Sequence, residues 1–386
     1  MIDAENQKPS WVSNANKYVE AINTHHATPH IPIDAYTKRR QIELGQSLDG
    51  RLALYLDQKY WIALRKAEAG GGNASENELL QLLRELARIS KVFCPISESV
   101  LLELMKQEDL QSRLRTAQMI DDLSSGVSLI SYDTRAGTEL AHLIYSHAVD
   151  PATLHPLRHL MWLKSSFALG IAHPSLSGDA GTQLAVQKAF FDLMWSMSLT
   201  DLIKTAGRMP PPEPLSDLAA NLNAGSAAHA EDIRSFAQAY VAESRGAADV
   251  FAETAMNIGR ELSAKHGEAV PAPASDEWAK QKRMWEYLLF QLLQKESERT
   301  KLPSIHVHAS LHAAFRWNKT RQFVANDFYD FFHASAALAC CQAFFTDNSL
   351  HAVITAKHVA LDKAYDCRVI ADMSEAIAYL RALRSI

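Results

Sequence analysis

Short apolar runs alternate with stretches of helical periodicity up to about residue 149, and then the alternation stops. Leu52-Ala53-Leu54-Tyr55-Leu56 is continuously apolar and ends abruptly in Asp57, the pattern of a parallel strand buried on both faces. A helix is expected next. Gly70-Gly71-Gly72 separates it from a second helix over Ser75 to Ile89, where Ser75 and Glu78 have capping-box spacing. Val92-Phe93-Cys94 predicts a short strand, followed after Pro95 by a helix capped by Ser97. Val127 to Ile130 predicts a third strand, and Thr134 to about His147 the helix behind it. This order predicts an α/β fold with a doubly wound parallel sheet.

From 150 to 319 the periodicity is helical, over Thr182 to Lys204, Ala230 to Ala264 and Asp276 to Glu298, with no strand expected. Two breaks interrupt it, Met209-Pro210-Pro211-Pro212-Glu213-Pro214 and the segment from Gly267 to Ser275 with Pro271 and Pro273. The sheet is expected to resume with a helix over Asp327 to Cys341, a strand Ala343-Phe344-Phe345-Thr346 ending in Asp347, and a last strand Cys367 to Ile370 before a terminal amphipathic helix. Residues 1–50 are polar, with a helical pattern from Trp11 to Ile22 and a loop through His25, His26 and His30. The expected organisation is an N-terminal extension (1–50), a core (51–149 and 320–386) and a large all-helical insertion (150–319).

A chain of 386 residues, 47% of them hydrophobic, can bury a full core. No apolar run approaches the ~18–20 residues that span a bilayer, and the start lacks a leader pattern, so a cytoplasmic protein with no membrane contact is expected. Cys94, Cys340, Cys341 and Cys367 lack CxxC spacing and the distribution of a disulfide framework; free thiols in a reducing compartment follow. The net charge of −5 gives no overall pull toward a polyanion, so any nucleic-acid surface must be local.

Ligand sites of parallel α/β sheets lie outside the carboxyl ends of the strands. Asp57 and Asp347 each follow an apolar strand and would project at that rim. Singly, each also reads as a turn residue or helix cap. In Asn326-Asp327-Phe328-Tyr329-Asp330-Phe331-Phe332-His333, Asp327, Asp330 and His333 share one helical stripe among apolar neighbours. Two buried acids there would be costly without a cation or hydrogen bonds; capping and the helix dipole explain one of them better than both. Glu98 starts the helix after Ser97, where the dipole accounts for it. Glu103 lies further along among Leu101, Leu102 and Leu104, and alone reads as a partly exposed helix acid.

As a set, Leu54-Tyr55-Leu56-Asp57, then Ile96-Ser97 with Glu103, then Asp327-x-x-Asp330-x-x-His333-Ala334, then Phe345-Thr346-Asp347, resembles the motifs of PIN-like (PilT N-terminus) domains in their order. The resemblance covers roughly 50–147 and 320–386; the insertion and the N-terminal extension depart from compact members. It implies a doubly wound sheet of order 3-2-1-4-5 and a metal-dependent endonuclease, most often an endoribonuclease. Asp57, Glu103, Asp330 and Asp347 match the family's acids, with Asp327 able to replace or assist Asp330. It implies Mg²⁺ or Mn²⁺ held by Asp57, Asp330 and Asp347, with Glu103 orienting the ion or the attacking water. The implied partners are single-stranded or structured RNA, then single-stranded DNA, and a protein inhibitor or second subunit on the insertion. A toxin or defence role also fits the family's habit, and a homo-oligomer stays open.

Lys59, Arg316, Lys319 and Arg321 are candidate nucleic-acid-binding cations, and Trp317 could stack on a base; the same residues also read as a solvated helix end. Lys280, Lys282 and Arg283 with Trp278 and Trp285 form a second mixed patch whose aromatics fit core spacing. His306, His308 and His312 read as one helix face after Pro303, since no acid or cysteine accompanies them. Gly70-Gly71-Gly72 lacks the Lys-Ser/Thr of a phosphate loop. Two other functions stay open: a helical binding or scaffold protein on a PIN-like core with reduced or no activity, and a metal-dependent phosphohydrolase of small nucleotides.

Overall fold

Six short strands carry the fold: β1 (Leu52–Leu56), β2 (Val92–Phe93), β3 (Val127–Leu129), β4 (Trp162–Lys164), β5 (Ala343–Phe345) and β6 (Arg368–Ile370). The computed structural model describes residues 10–150, 153–207, 215–268 and 271–385, most of them helical. Four strands form a parallel sheet in the order β2-β1-β5-β6, with Leu56 opposite Phe345 and Phe345 opposite Ile370. The class is therefore α/β with a small sheet. β3 and β4 pair antiparallel as a separate ladder, and a single parallel bridge from Ile96 to Ser128 joins β3 to the chain just beyond β2.

Continuous apolar character in β1 and β5 follows from burial on both faces: Leu54, Tyr55, Leu56, Phe344 and Phe345 are fully buried. The helix Ala325–Cys340 packs against β1, β5, the helix Glu98–Met105 and the helix Pro303–Trp317, while the helix Met373–Ser385 packs on the helix Ala74–Arg88. One large core runs through these elements and takes in Trp162, Phe167, Phe191, Leu199 and Ile203 from the stretch expected to be an insertion, together with Val307, Leu311 and Phe315 near its end. A second, smaller core joins the long helices Phe236–Lys265 and Asp276–Gln294 to Ala136, Leu140 and Leu143.

Several local expectations are corrected. The stretch 150–319 is not all helical, because Trp162–Lys164 forms β4 on β3; three residues are too few to register as a period. The capping box uses Asn73 and Glu76, whose side chains each accept the other's backbone N–H at 2.9 Å, because the helix starts at Ala74 and Asn caps as well as Ser. Ser97 sits at an N-cap but gives no capping bond; its hydroxyl meets Tyr55 instead, 2.5 Å away. The periodicity from 182 to 204 divides into Ala180–Ser196 and Leu199–Ala206, since Asp121 takes the Leu199 and Thr200 N–H groups at 2.8 and 2.9 Å and fixes a new helix start. His25 and His26 close the helix Ser10–His26 instead of lying in a loop. The Met209–Pro214 break lies outside the described residues.

Charged contacts tie the extension and the middle of the chain to the core. Asp192 accepts from Tyr36 and pairs with His25, both at 2.7 Å. Buried Arg135 donates to the Ile130 carbonyl, Ser304 and Ser335, and Ser304 in turn donates to Glu139 from backbone and hydroxyl. Burial pushes the Glu139 carboxyl up to about 7. The four cysteines are free. Among the described residues no helix is long and apolar enough to cross a membrane.

Candidate active site

Asp57 follows β1 and caps the helix Gln58–Glu68, accepting the Tyr60 N–H at 3.4 Å. Asp347 follows β5 and caps the helix Asn348–Thr355 through a 2.8 Å bond from the Leu350 N–H. β1 and β5 are parallel neighbours in register, and the Asp57 N–H donates to the Phe345 carbonyl at 3.0 Å, so the two aspartates leave the sheet at one rim. Their capping does not compete with a chemical role. It fixes where each carboxylate points.

The two acids of the helix Ala325–Cys340 divide their duties. Asp327, 4% exposed, turns back to accept the Val324 N–H at 2.7 Å and pairs with Arg321 at 3.2 Å. Asp330, one turn on, accepts no hydrogen bond from a described residue, and burial drives its carboxyl up to about 7 with the charges of Asp347, Asp327 and Glu103 adding to the rise. Burial likewise raises Asp57 to about 6, against the lowering influence of His333, the Thr346 hydroxyl and the Tyr60 N–H. The buried Thr346 hydroxyl lacks a well-aligned hydrogen bond of its own.

His333, 2% exposed, is the hub between these acids. Its Nε2 lies 2.9 Å from Glu103 Oε2, and its Nδ1 lies 2.7 Å from the Tyr55 hydroxyl, which is 2.5 Å from Ser97 Oγ. Burial works against the charged ring, yet the Glu103 bond and the charges of Glu103, Asp57 and Asp330 outweigh it, so the imidazole is raised above its ordinary value. As an imidazolium it donates from both nitrogens, to Glu103 and to the Tyr55 oxygen, and Tyr55 donates onward to Ser97. Sequence reading placed His333 on the acidic stripe but gave it no role, and it passed over Tyr55, Ser97 and Thr346 as strand and cap residues. Their only sequence mark was a polar group at the end of an apolar run.

Among the described residues no three His, Cys, Asp or Glu side chains form a ready-made metal cage. Asp347 nevertheless lies near enough to Asp57 and to Asp330 for its charge to raise both carboxyls, and carboxylate oxygens are hard donors of the kind Mg²⁺ or Mn²⁺ takes. Both nitrogens of His333 are engaged, so Asp57, Asp330 and Asp347 are the side chains here that could offer oxygens to an ion. Glu103 is held by His333.

The candidate cations are differently disposed. Arg316 is paired with Glu243 at 2.5 Å, and Arg321 is shared between Asp327 and the face of Phe315. Lys59 donates to the Ala371 carbonyl at 3.0 Å, while Lys319 is exposed with a 3.9 Å contact to Glu231. His306, His308 and His312 pack among aromatic rings, and burial lowers all three, His306 to about 3. They serve as neutral core groups. No family model, no curated protein and no solved structure matches the chain.

Proposed function

We propose that the protein is a metal-dependent nuclease of the PIN-like kind that hydrolyses phosphodiester bonds of RNA. The observation that carries this reading is the meeting of Asp57 and Asp347, from adjacent parallel strands, with the unpartnered Asp330 at one rim. Burial and their neighbours' charges raise the Asp57 and Asp330 carboxyls despite the lowering influence of His333, and a divalent ion would add the positive charge that offsets this. The topology supports the reading too. The four-stranded sheet runs β2-β1-β5-β6, and the isolated parallel bridge from Ile96 to Ser128 would set β3 beyond β2, an arrangement compatible with the 3-2-1-4-5 order of that family.

In this reading Asp57, Asp330 and Asp347 hold Mg²⁺ or Mn²⁺, which when bound supplies an activated water and charge neutralisation at the phosphate. Asp330, raised to about 7, would have to be deprotonated to hold an ion, so binding there would compete with its proton. Glu103 is a positioning residue, fixed by His333 and through it by Tyr55 and Ser97. Asp327 is the brace that holds the start of the acidic helix on Arg321. A second reading, a binding protein on the same core, is favoured by one observation: Arg316 and Arg321, two of the four candidate phosphate contacts, are engaged by Glu243 and Asp327.

Labelled single-stranded RNA, structured RNA and single-stranded DNA incubated with Mn²⁺ test the proposal. Cleavage is expected for RNA with the wild type, falling at least about 100-fold in Asp57→Asn, Asp330→Asn and Asp347→Asn. A folded wild type inert on all three polymers, or variants that cut at the wild-type rate, would overturn it.

A further inference from the structure

A cleft of about 820 Å³ adjoins the acidic rim without being part of it. One wall is the helix Asn348–Thr355, which Asp347 caps and which contributes Ser349 and Val353; the facing wall brings Arg234 from the middle of the chain and Trp317, Lys319 and Arg321 from the end of the helix Pro303–Trp317 and the loop after it. Arg321 joins cleft to rim, with its guanidinium 3.2 Å from Asp327 and 3.4 Å from Ser349.

The chemistry of this cleft is that of an aromatic anion's site. Its lining is largely apolar, and Arg234, Lys319 and Arg321 bring positive groups to it. Arg234 is exposed, with no ion pair on its guanidinium among the described residues. Trp317 is 37% exposed, and its two ring neighbours, His358 at 4.4 Å and 68° and Phe236 at 6.4 Å and 78°, cross it steeply, so none is stacked flat against it. An indole left without a parallel partner, next to an imidazole and two cations, matches a heterocyclic base with its phosphate.

We infer that this cleft seats the unpaired base next to the phosphodiester that is cut, with the base stacked on Trp317 beside His358 and its phosphate on Arg234 and Lys319. The inference rests on the nuclease reading of the neighbouring rim for which phosphate is cut, whereas the binding itself needs no metal. A base already stacked in a duplex cannot enter, so the cleft selects single strands.

The test is fluorescence anisotropy of a fluorescein-labelled single-stranded RNA in EDTA, against the same sequence as a duplex. Full-length wild type, Trp317→Ala, Trp317→Phe, the double variant Arg234→Ala/Lys319→Ala and Asp57→Asn are compared, with folding checked by circular dichroism. Expected are tighter binding of the single strand than of the duplex and a Kd raised about ten-fold in Trp317→Ala. Trp317→Phe should lose less, and the Arg234/Lys319 double variant should show weaker binding with a flatter salt dependence. Asp57→Asn should bind at least as well as wild type. The inference is overturned if wild type does not bind, if it binds duplex equally well, or if Trp317→Ala and the double variant bind as wild type does. The two readings fail separately. Loss of cleavage in Asp57→Asn alongside unchanged binding in the Trp317 variants removes the cleft and keeps the nuclease; impaired binding in those variants with no cleavage by wild type keeps a nucleotide site and removes the nuclease.

Discussion

Asparagine caps a helix about as well as aspartate, and at position 330 the side chain caps nothing, so the charges of the rim can be removed with little loss of local structure. Asp330, at about 7 in the folded chain, stands far above the ordinary Asp value of 3.8. A carboxyl raised on folding binds more protons in the native state than in the unfolded one between those two values. Its contribution therefore favours the fold at low pH and is lost as pH rises through about 7. Without metal, Asp330→Asn is accordingly expected to have a higher Tm than wild type at pH 7.5 and a smaller advantage at pH 4.5, which closes only below the ordinary Asp value of 3.8, where the unfolded chain is protonated too. Scanning calorimetry in EDTA at the two pH values reads this directly, and a lower Tm of the variant at pH 7.5 would contradict it. The acids were legible in the sequence because each interrupts an apolar pattern. The division of labour between Asp327 and Asp330 was not, because it turns on Arg321, brought near by a loop whose path no periodicity encodes.

β1 and β5 could be read from the chain because burial on both faces demands an unbroken apolar run, and the abrupt change at Asp57 and Asp347 marks where each leaves the sheet. β4 could not. It has three residues, gains its ladder only from β3, and follows a short 3₁₀ turn, Leu157–Leu160, that carries no period. That turn is pinned by a close approach: a Cβ at Gly45, in the helix Ile33–Ser47, would stand 2.3 Å from the His159 carbonyl oxygen. Only a residue without a side chain lets the extension lie against the backbone that leads into β4. Gly45→Ala is expected to lower stability by about 1–3 kcal/mol, as overpacking against immovable backbone does, measured as a shifted urea midpoint at unchanged slope. Wild-type stability in this variant would show that the helix is free to move away.

Across the molecule, the residues between 150 and 319 are more closely bound to the core than their composition indicated. Trp162, Phe191 and Leu199 complete the main core, and the Arg135–Ser304–Glu139 network fastens the end of that stretch beneath the acidic helix. The sequence divided core from insertion by a change of periodicity, which records secondary structure but not which side chains share a core. The same packing shapes the cleft at the rim, since Arg234 and Trp317 belong to the stretch and Ser349 to the helix that Asp347 caps. A net charge of −5 supplies no general attraction for RNA, so under the proposed function recognition would fall to this local surface and to an ion at the rim.

The proposed nuclease depends on a bound cation, and calorimetric titration of Mn²⁺ into the metal-free full-length protein at pH 7.5 tests for it, with Asp57→Asn as the comparison. Saturable binding by wild type, weakened at least about ten-fold in Asp57→Asn and also weakened at pH 5.5, where protons compete for carboxyls raised to about 6 and about 7, is the expected result. No binding by folded wild type, or equal binding by the variant, would contradict a carboxylate-held cation and the nuclease built on it.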